Sequence, residues 1–466
     1  MKKFLLVFPM LFFCVSNSFA GNVDTYGIGS KASALGGAFT AYADDPYAVY
    51  YNPAGLTQIR STTLSTGVMA INPILKAKDF QVADLNIGPT NIYDKSPVLF
   101  APHLGFAMPI NEKIAAGISV YAPFGLMVEW EKNPAKNPGA YNCYKAGITR
   151  EVATPALAYQ VNDQWSFGLG VSMGKATDEL KVQSYGLYAL GVGVMGTPIT
   201  AAEKIKMDDN FNYSFNVGTM YKPSQAVSIG LTYRSKTDVS YDGHLEFIGL
   251  DDSEKARLNT LLQIGSKSAM TSLSKYKFDV SMDNMDFPDQ VQGGIRYQPY
   301  DRLSMEMDVV WTHWSMIDKE TLKIDDPELR NTLAILSGFA GETTTGASLT
   351  NLRDWNDTRQ LKFGIEWLMT DICRLRGGYF YDPTPIPDNT FDVVWADADK
   401  KTYSIGMGLD LNRWTVDTVL QYTMVEQERI IGGESVNLNK SFGGNSVALK
   451  ADGALWGFGA TVSYVF

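Results

Sequence analysis

Over the last part of the chain apolar side chains recur at every second position: Trp456, Phe458, Ala460, Val462, Tyr464 and Phe466 are separated by Gly457, Gly459, Thr461 and Ser463. A period of two puts alternate side chains on opposite faces of an extended strand. The same phase returns upstream, where Trp165, Phe167, Leu169, Val171 and Met173 alternate with Ser166, Gly168, Gly170 and Ser172. It returns again in Phe211, Tyr213, Phe215 and Val217, in Leu303, Met305, Met307, Val309 and Trp311, and in Trp414, Val416, Thr418, Leu420 and Tyr422. The intervening positions include Asn212, Ser214, Glu306, Asp308 and Asp417. Carboxylates opposite the aromatics would cost several kcal/mol against lipid or in a dry core, so that face must be polar or wet. The pattern predicts an all-β fold, a transmembrane antiparallel β-barrel with lipid outside and a polar lumen.

Short connections at 111–113, 162–164, 222–225, 298–302, 370–371 and 412–413 alternate with long ones at about 72–100, 125–149, 181–209, 243–274, 316–354, 383–400 and 431–453. Outer-membrane barrels have short periplasmic turns and long outer loops, so these predict about fourteen strands. Closure is required because every backbone polar group in hydrocarbon must be paired. A lumen of that width is too large for strand side chains alone to fill.

Residues 26–56 lack the alternation. They are rich in Ala, Gly and Ser and carry Asp44-Asp45-Pro46, a capping residue ahead of Pro at a first helical position, and Asn52-Pro53, which would stop that helix after about two turns. A compact run of short helices and turns is predicted, occupying the lumen. Gly29 to Ala41, Ala43-Asp44-Asp45-Pro46 and Tyr50-Tyr51-Asn52-Pro53-Ala54-Gly55-Leu56, in that order, resemble the N-terminal hatch of the FadL-type outer-membrane transporters. The resemblance implies a fourteen-stranded barrel that takes up long-chain fatty acids or, in some members, aromatic hydrocarbons.

The expected organisation is a signal peptide at 1–20, a hatch at 21–59 and a barrel at 60–466. Met1-Lys2-Lys3, the apolar run Phe4 to Val15 and Ser18-Phe19-Ala20 support the first, while Phe13 before Cys14 argues against a lipid anchor. The formal net charge is −10 and becomes more negative without Lys2 and Lys3, which disfavours a nucleic-acid partner. Cys143 and Cys373 have no metal-type spacing and read as free thiols, with a disulfide as the alternative. No cofactor and no metal are expected. The expected partners are hydrophobic small molecules, outer-membrane lipid including lipopolysaccharide, and the outer-membrane assembly machinery, since a terminal Phe466 with Tyr464 resembles its recognition signal. The chain is expected to act as a monomer.

Two outer loops are greasy. Residues 185–200 read as a flexible apolar stretch containing Tyr185, Leu187, Tyr188 and Leu190; in the next loop, a helix starting near Ser253-Glu254-Lys255 would carry Leu258, Leu261, Leu262 and Ile264 on one face. The resemblance implies that these third and fourth loops form a groove where ligand docks; alternatively they pack on each other as a cap. Pro123 and Gly125 follow a third strand read as 113–121. The resemblance implies a kink there that opens the wall sideways, whereas a simple strand end is the other reading. A fatty-acid carboxylate wants Arg or Lys in an apolar setting, and Arg150, Arg234, Arg296 and Lys362 are candidates, or else are lumen charges paired with Glu306, Asp308 or Glu366. Tyr26 and Phe39 could touch a ligand tail or pack on the wall, and Asn52, Pro53 and Ala54 belong to the hatch.

Rival functions are an aqueous porin or adhesin, which the hatch would obstruct, and a barrel hydrolase, for which His103, His244 and His313 have no partner motif. Gly170-Val171-Ser172-Met173-Gly174 fits a nucleophile elbow but lies within a strand pattern. Gly191-Val192-Gly193-Val194-Met195-Gly196 fits a dinucleotide pattern but lacks the following helix and acidic residue.

Overall fold

A computed structural model describes residues 27–83, 85, 87–267, 272–338 and 346–466. The leader expected at 1–20, and Tyr26, lie outside the described residues.

The wall is a closed ring of fourteen antiparallel strands. They are β1 (Thr63–Val82), β2 (Leu99–Pro109), β3 (Ile114–Glu129), β4 (Lys145–Gln160), β5 (Trp165–Gln183), β6 (Ala202–Ser224) and β7 (Val227–Arg234). The ring continues through β8 (Gln290–Tyr300), β9 (Leu303–Thr312), β10 (Thr358–Thr370), β11 (Cys373–Asp382), β12 (Lys400–Leu411), β13 (Trp414–Val425) and β14 (Val447–Val465). The ladder between β1 and β14, from Thr63 opposite Val465 to Val82 opposite Val447, closes it. Parity sorts the faces as the alternation requires. Phe211, Tyr213 and Phe458 stand exposed to the bilayer, while Ser166, Asn212, Ser214, Glu306 and Asp308 are buried on the inside.

The six short turns fall where expected; the first three outer loops are shorter than predicted because the strands overshoot the membrane, whereas the connections at 235–289 and 313–357 are longer than predicted. A tilted spanning strand needs about 9–11 residues, and β1 and β6 have 20 and 23. The extra length rises above the bilayer, and that of β6 pairs with the short loop strand Tyr241–Ile248, which pairs in turn with Lys277–Met282. Cys143 and Cys373 are both free and buried.

Inside the ring, residues 27–59 form α1 (Ser30–Ala34), α2 (Ala48–Tyr51) and a 3-10 segment, Pro53–Gln58. The helix before Asn52 is one turn rather than two. Asp45 does not cap a longer helix; its Oδ1 accepts the Tyr47 N–H at 2.8 Å, closing a turn that delays the start to Ala48.

Candidate functional site

The hatch is held by hydrogen bonds from its backbone to wall carboxylates. Asp308 Oδ2 on β9 accepts the N–H groups of Phe39 (3.1 Å) and Thr40 (3.0 Å), the Thr40 hydroxyl (2.7 Å) and the amide of Gln292 on β8 (2.8 Å). Glu306 Oε1 accepts the Ala41 N–H at 2.6 Å. The wall is cut away where the hatch touches it: a Cβ on Gly378 would lie 2.1 Å from Gly36 N, and one on Gly168 would lie 2.3 Å from the carbonyl carbon of Pro53. Asn52 is buried, donating to the Thr40 and Thr219 carbonyls at 2.8 and 3.0 Å and accepting from Ala54 N at 3.1 Å. Pro53 and Ala54 are buried against β5, whose Ser166 hydroxyl reaches the Ala54 carbonyl at 3.3 Å. Phe39 is fully buried within the hatch, its ring edge-on to Tyr51 at 5.3 Å, so it packs and does not line an open path.

Above the hatch sits an apolar cap. Residues 185–195 are not a flexible stretch but an 11-residue helix, α3 (Tyr185–Met195), closed by Gly196 in the left-handed region at φ 71°. In the next loop α4 (Asp252–Ser266) starts at a capping box formed by Asp251 and Glu254, one residue earlier than Ser253-Glu254-Lys255 suggests. Leu187 of α3 joins Leu258, Leu261 and Leu262 of α4 in one buried cluster, with Leu190 packed against it. Ile264 is 50% exposed; two residues past Leu262 it lies on the opposite side of the helix. Tyr185 instead packs on Tyr141 and Phe442 in a neighbouring cluster. Tyr188, Val192 and Val194 face outward with Ile264.

The sequence reading missed the aromatic half of this cap. Trp355 lies edge-on to both Trp314 (5.3 Å) and Trp395 (5.1 Å), beside a cavity of about 30 Å³. The indole N–H groups of Trp355 and Trp395 and the Gln360 carbonyl oxygen, all buried, have no hydrogen-bond partner among the described residues. The three tryptophans break strand parity within long loops, the one sign that they belong to a tertiary cluster.

Four cations line the wall beside the hatch, a seam without ion pairs among the described residues. Arg150 on β4 is 3% exposed, donating to Asn212 Oδ1 at 2.8 Å and Ser214 Oγ at 3.1 Å, with Phe287 6.0 Å away. Arg234 on β7 donates to Gln290, Gln292 and the Tyr50 carbonyl and stacks 4.5 Å over the Tyr50 ring. Arg296 lies 3.8 Å over Tyr42, and Lys362 lies 4.8 Å over Phe380. Among the described residues none of the four forms an ion pair. The expected pairing fails because the acids are otherwise engaged: Glu306 and Asp308 hold the hatch, and Glu366 binds Arg376 (2.7 Å) and the Tyr42 hydroxyl (2.6 Å).

Arg150 is opposite a defect in the wall. Tyr121 pairs with Val152 and Phe124 with Arg150, so β3 holds one residue more than β4 across Ala122-Pro123. That is a β-bulge. Pro123 therefore does not end the strand, which continues past Gly125 to Glu129. On the other side, the ladder of β2 with β3 stops at Leu104–Val120 and the chains meet again only where Lys95 N–H reaches the Glu129 carbonyl at 2.7 Å. Among the described residues no ladder pair joins β2 to β3 between those points.

Beneath the hatch, toward the short turns, a cavity of about 240 Å³ is lined by Lys31, Asp44, Asp45, Arg374, Arg376 and Asp417. Burial pushes the Asp45 carboxyl up to about 7, against the opposing pull of Lys31.

A closed barrel with an aromatic outer face, a polar lumen, an internal hatch and a greasy cap defines a β-barrel transport protein of the bacterial outer membrane. The profile of the family described as Outer membrane protein transport protein (OMPP1/FadL/TodX) matches residues 14–466, and the chain belongs to that family. Its members are transporters and channels rather than enzymes. The chain is 25% identical to the long-chain fatty acid transport protein of Escherichia coli O6:H1, over 94% of this chain and 93% of that one. It is similar in fold to a crystal structure of a Pseudomonas aeruginosa FadL homologue, with TM-score 0.76 and 21% identity, covering 96% of this chain and 99% of the other. It is also similar to the P. putida toluene transporter TodX, with TM-score 0.65 and 14% identity, covering 95% and 99%.

Proposed function

We propose that the chain carries long-chain fatty acids across the outer membrane, down their gradient. One observation carries this: Arg150, a buried guanidinium with no acidic partner among the described residues, sits between an apolar cap and the only bulge in β3. Desolvating a cation without a counter-ion is costly unless a ligand supplies the charge, and a carboxylate with an alkyl tail supplies both halves of what this seam offers. The naming of the relatives as long-chain fatty acid transport proteins supports the same reading.

The route begins on the exposed strip Tyr188, Val192, Val194 and Ile264, passes the leucines of α3 and α4 as they part, and seats the carboxylate at Arg150, with Arg234 alongside on β7. Residues 21–59 act as the hatch of the mature chain, with 1–20 as the leader. Arg296 and Lys362, stacked on aromatic rings beside the hatch, stabilise its docked state. The exit is sideways through the unpaired stretch of β2 and β3. The cavity under the hatch is charged and wet, and each CH₂ moved into water there would cost about 0.8 kcal/mol; the bilayer beside the bulge costs nothing comparable. The chain works as a monomer standing in lipopolysaccharide, inserted by the assembly machinery through Phe466.

A second reading, uptake of aromatic hydrocarbons, is favoured by the cluster of Trp314, Trp355 and Trp395. Whole-cell uptake of labelled oleate and labelled toluene separates the two. Expected is oleate uptake that slows severalfold when Pro123→Thr and Gly125→Val flatten the bulge, with barrel assembly intact. Unchanged kinetics in that variant would remove the side exit, and uptake of toluene alone would favour the second reading.

A further inference from the structure

Four wall strands end around the tryptophan cluster. Trp314 follows the outer end of β9, Trp355 and Gln360 lie on either side of the start of β10, Asp382 closes β11, and Trp395 and Asp397 lead into β12. All six residues line the cavity of about 30 Å³. In a ring of fourteen, β10 and β11 stand six and seven strands away from β4, so this place is distinct from Arg150. Three atoms define what the cavity offers. Trp355 is 4% exposed, Trp395 7% and Gln360 3%, and among the described residues their indole N–H groups and amide oxygen have no partner. The network fixes which end of the amide is the oxygen: the Gln360 nitrogen donates to Asp382 Oδ1 at 2.9 Å, so the acceptor is the end left over. The charged groups at the same cavity are matched already. Lys400 Nζ donates to Asp397 Oδ1 (2.6 Å) and to the Ala398 carbonyl (3.2 Å) and lies 3.4 Å from Asp382 Oδ2, which occupies its three protons. Asp397 Oδ2 accepts the Thr384 hydroxyl at 2.8 Å.

Two donors and one acceptor around one small space match a hydroxyl group, which accepts two hydrogen bonds and donates one. An anion would meet the Gln360 oxygen and the carboxylates of Asp382 and Asp397. An ammonium would meet two N–H groups, and a hydrocarbon would strand all three polar atoms. We propose that the tryptophan cluster is a binding site for a neutral aromatic ring bearing a hydroxyl, a phenol or a benzylic alcohol. Its oxygen accepts from the Trp355 and Trp395 N–H groups, and its proton goes to the Gln360 oxygen. The ring is called for by its surroundings: the indoles meet edge-on at 5.3 and 5.1 Å, an arrangement that a further aromatic ring extends. A water needs about 10–15 Å³, so the hydroxyl enters the cavity as it stands, and the ring follows by displacing Ile386, which lines it from the connection at 383–399. The inference rests on the chain carrying hydrophobic molecules and not on a carboxylate at Arg150; it narrows the aromatic reading from a hydrocarbon to a hydroxylated one.

The test is equilibrium binding of p-cresol, benzyl alcohol and toluene to the detergent-purified full-length protein. A site built to hydrogen-bond a hydroxyl rejects the analogue that lacks it, so p-cresol or benzyl alcohol should bind at least about tenfold more tightly than toluene. The tighter of the two shows whether the hydroxyl is held on a ring or on a saturated carbon. Trp355→Phe/Trp395→Phe keeps aromatic rings and removes both N–H groups, and Gln360→Met keeps the length of the side chain and removes the acceptor; each should close most of the gap to toluene. Trp165→Phe, on the lipid-facing side of β5, should bind as wild type does. All variants should keep the heat-modifiable electrophoretic mobility of a folded barrel and should retain oleate uptake, which separates failure here from failure of the transport reading. The proposal is overturned if toluene binds wild type as tightly as the hydroxyl compounds, or if neither of those binds, which leaves the cavity to water alone. It is equally overturned if folded Trp355→Phe/Trp395→Phe keeps the wild-type preference or Trp165→Phe loses as much.

Discussion

Asp308 is the single acceptor on which the hatch turns most. One oxygen takes hydrogen bonds from Phe39 N, Thr40 N, the Thr40 hydroxyl and Gln292, and the side chain is fully buried. Hydrogen bonds to a charged partner contribute about 1.5–3 kcal/mol each, and a buried donor left without one costs about 1–3 kcal/mol. Four such bonds to one atom are not additive, so Asp308→Ala should destabilise the docked hatch by about 3–5 kcal/mol, a value typical of breaking a buried charged contact. Asp308→Asn, which keeps the shape but turns a strong acceptor into a weaker one with its own N–H donors, should cost about half as much. The assay is hydrogen exchange of the Phe39, Thr40 and Ala41 amides in the folded barrel. At about 1.4 kcal/mol per decade, Asp308→Ala should speed their exchange by about 10²-fold to several thousandfold while the amides of β9 stay protected. If these amides exchange at wild-type rates in a folded variant, Asp308 does not hold the hatch and the reasoning fails.

Three further outcomes are expected. Gly378→Val places a side chain where Gly36 N lies 2.1 Å from the Cβ position, so it should displace the hatch and raise single-channel conductance in planar bilayers; conductance equal to wild type would contradict the close docking. Arg353, 1% exposed and bound to both Glu320 and Asp392, joins two outer loops; Arg353→Met leaves Asp392 buried and unpaired, should cost the cap about 3–5 kcal/mol, and should expose residues 383–399 to protease while β10 to β14 resist. Asp45 has its carboxyl raised from 3.8 to about 7, so the folded chain binds the extra proton between those values: docking is strongest below about pH 4 and weakens as pH rises through 7. Exchange of the Tyr47 amide, corrected for its intrinsic pH dependence, should show that trend, and Asp45→Asn should flatten it.

The barrel was legible because membrane strands obey one rule at every residue. The run 303–311 assigns its own faces, and the structure places Glu306 and Asp308 inside as parity demands. The heights of the strands were not legible, since above the bilayer the alternation persists with Lys and Glu in place of Phe and Tyr, as at 175–181 of β5. The carboxylate partners were misread because pairing charge with charge ignores the hatch backbone: three consecutive N–H groups, from Phe39 to Ala41, compete for Asp308 and Glu306 and win. Pro123 was ambiguous for a related reason. A proline marks a bulge or an end depending on what lies opposite, and only the register of Tyr121–Val152 against Phe124–Arg150 decides it. Arg150 could be picked out as a cation, but Asn212, Ser214 and Phe287, which bury it without neutralising it, lie far away in sequence.

The measurement that bears most directly on the transport account compares equilibrium binding of oleic acid with that of oleyl alcohol to the purified barrel and to its Arg150→Met variant. If Arg150 awaits a carboxylate, the acid should bind wild type at least about tenfold more tightly than the alcohol, as a buried charge-assisted hydrogen bond requires, and the gap should close in the variant while alcohol binding is kept. Equal affinities of acid and alcohol for the wild-type protein would contradict it.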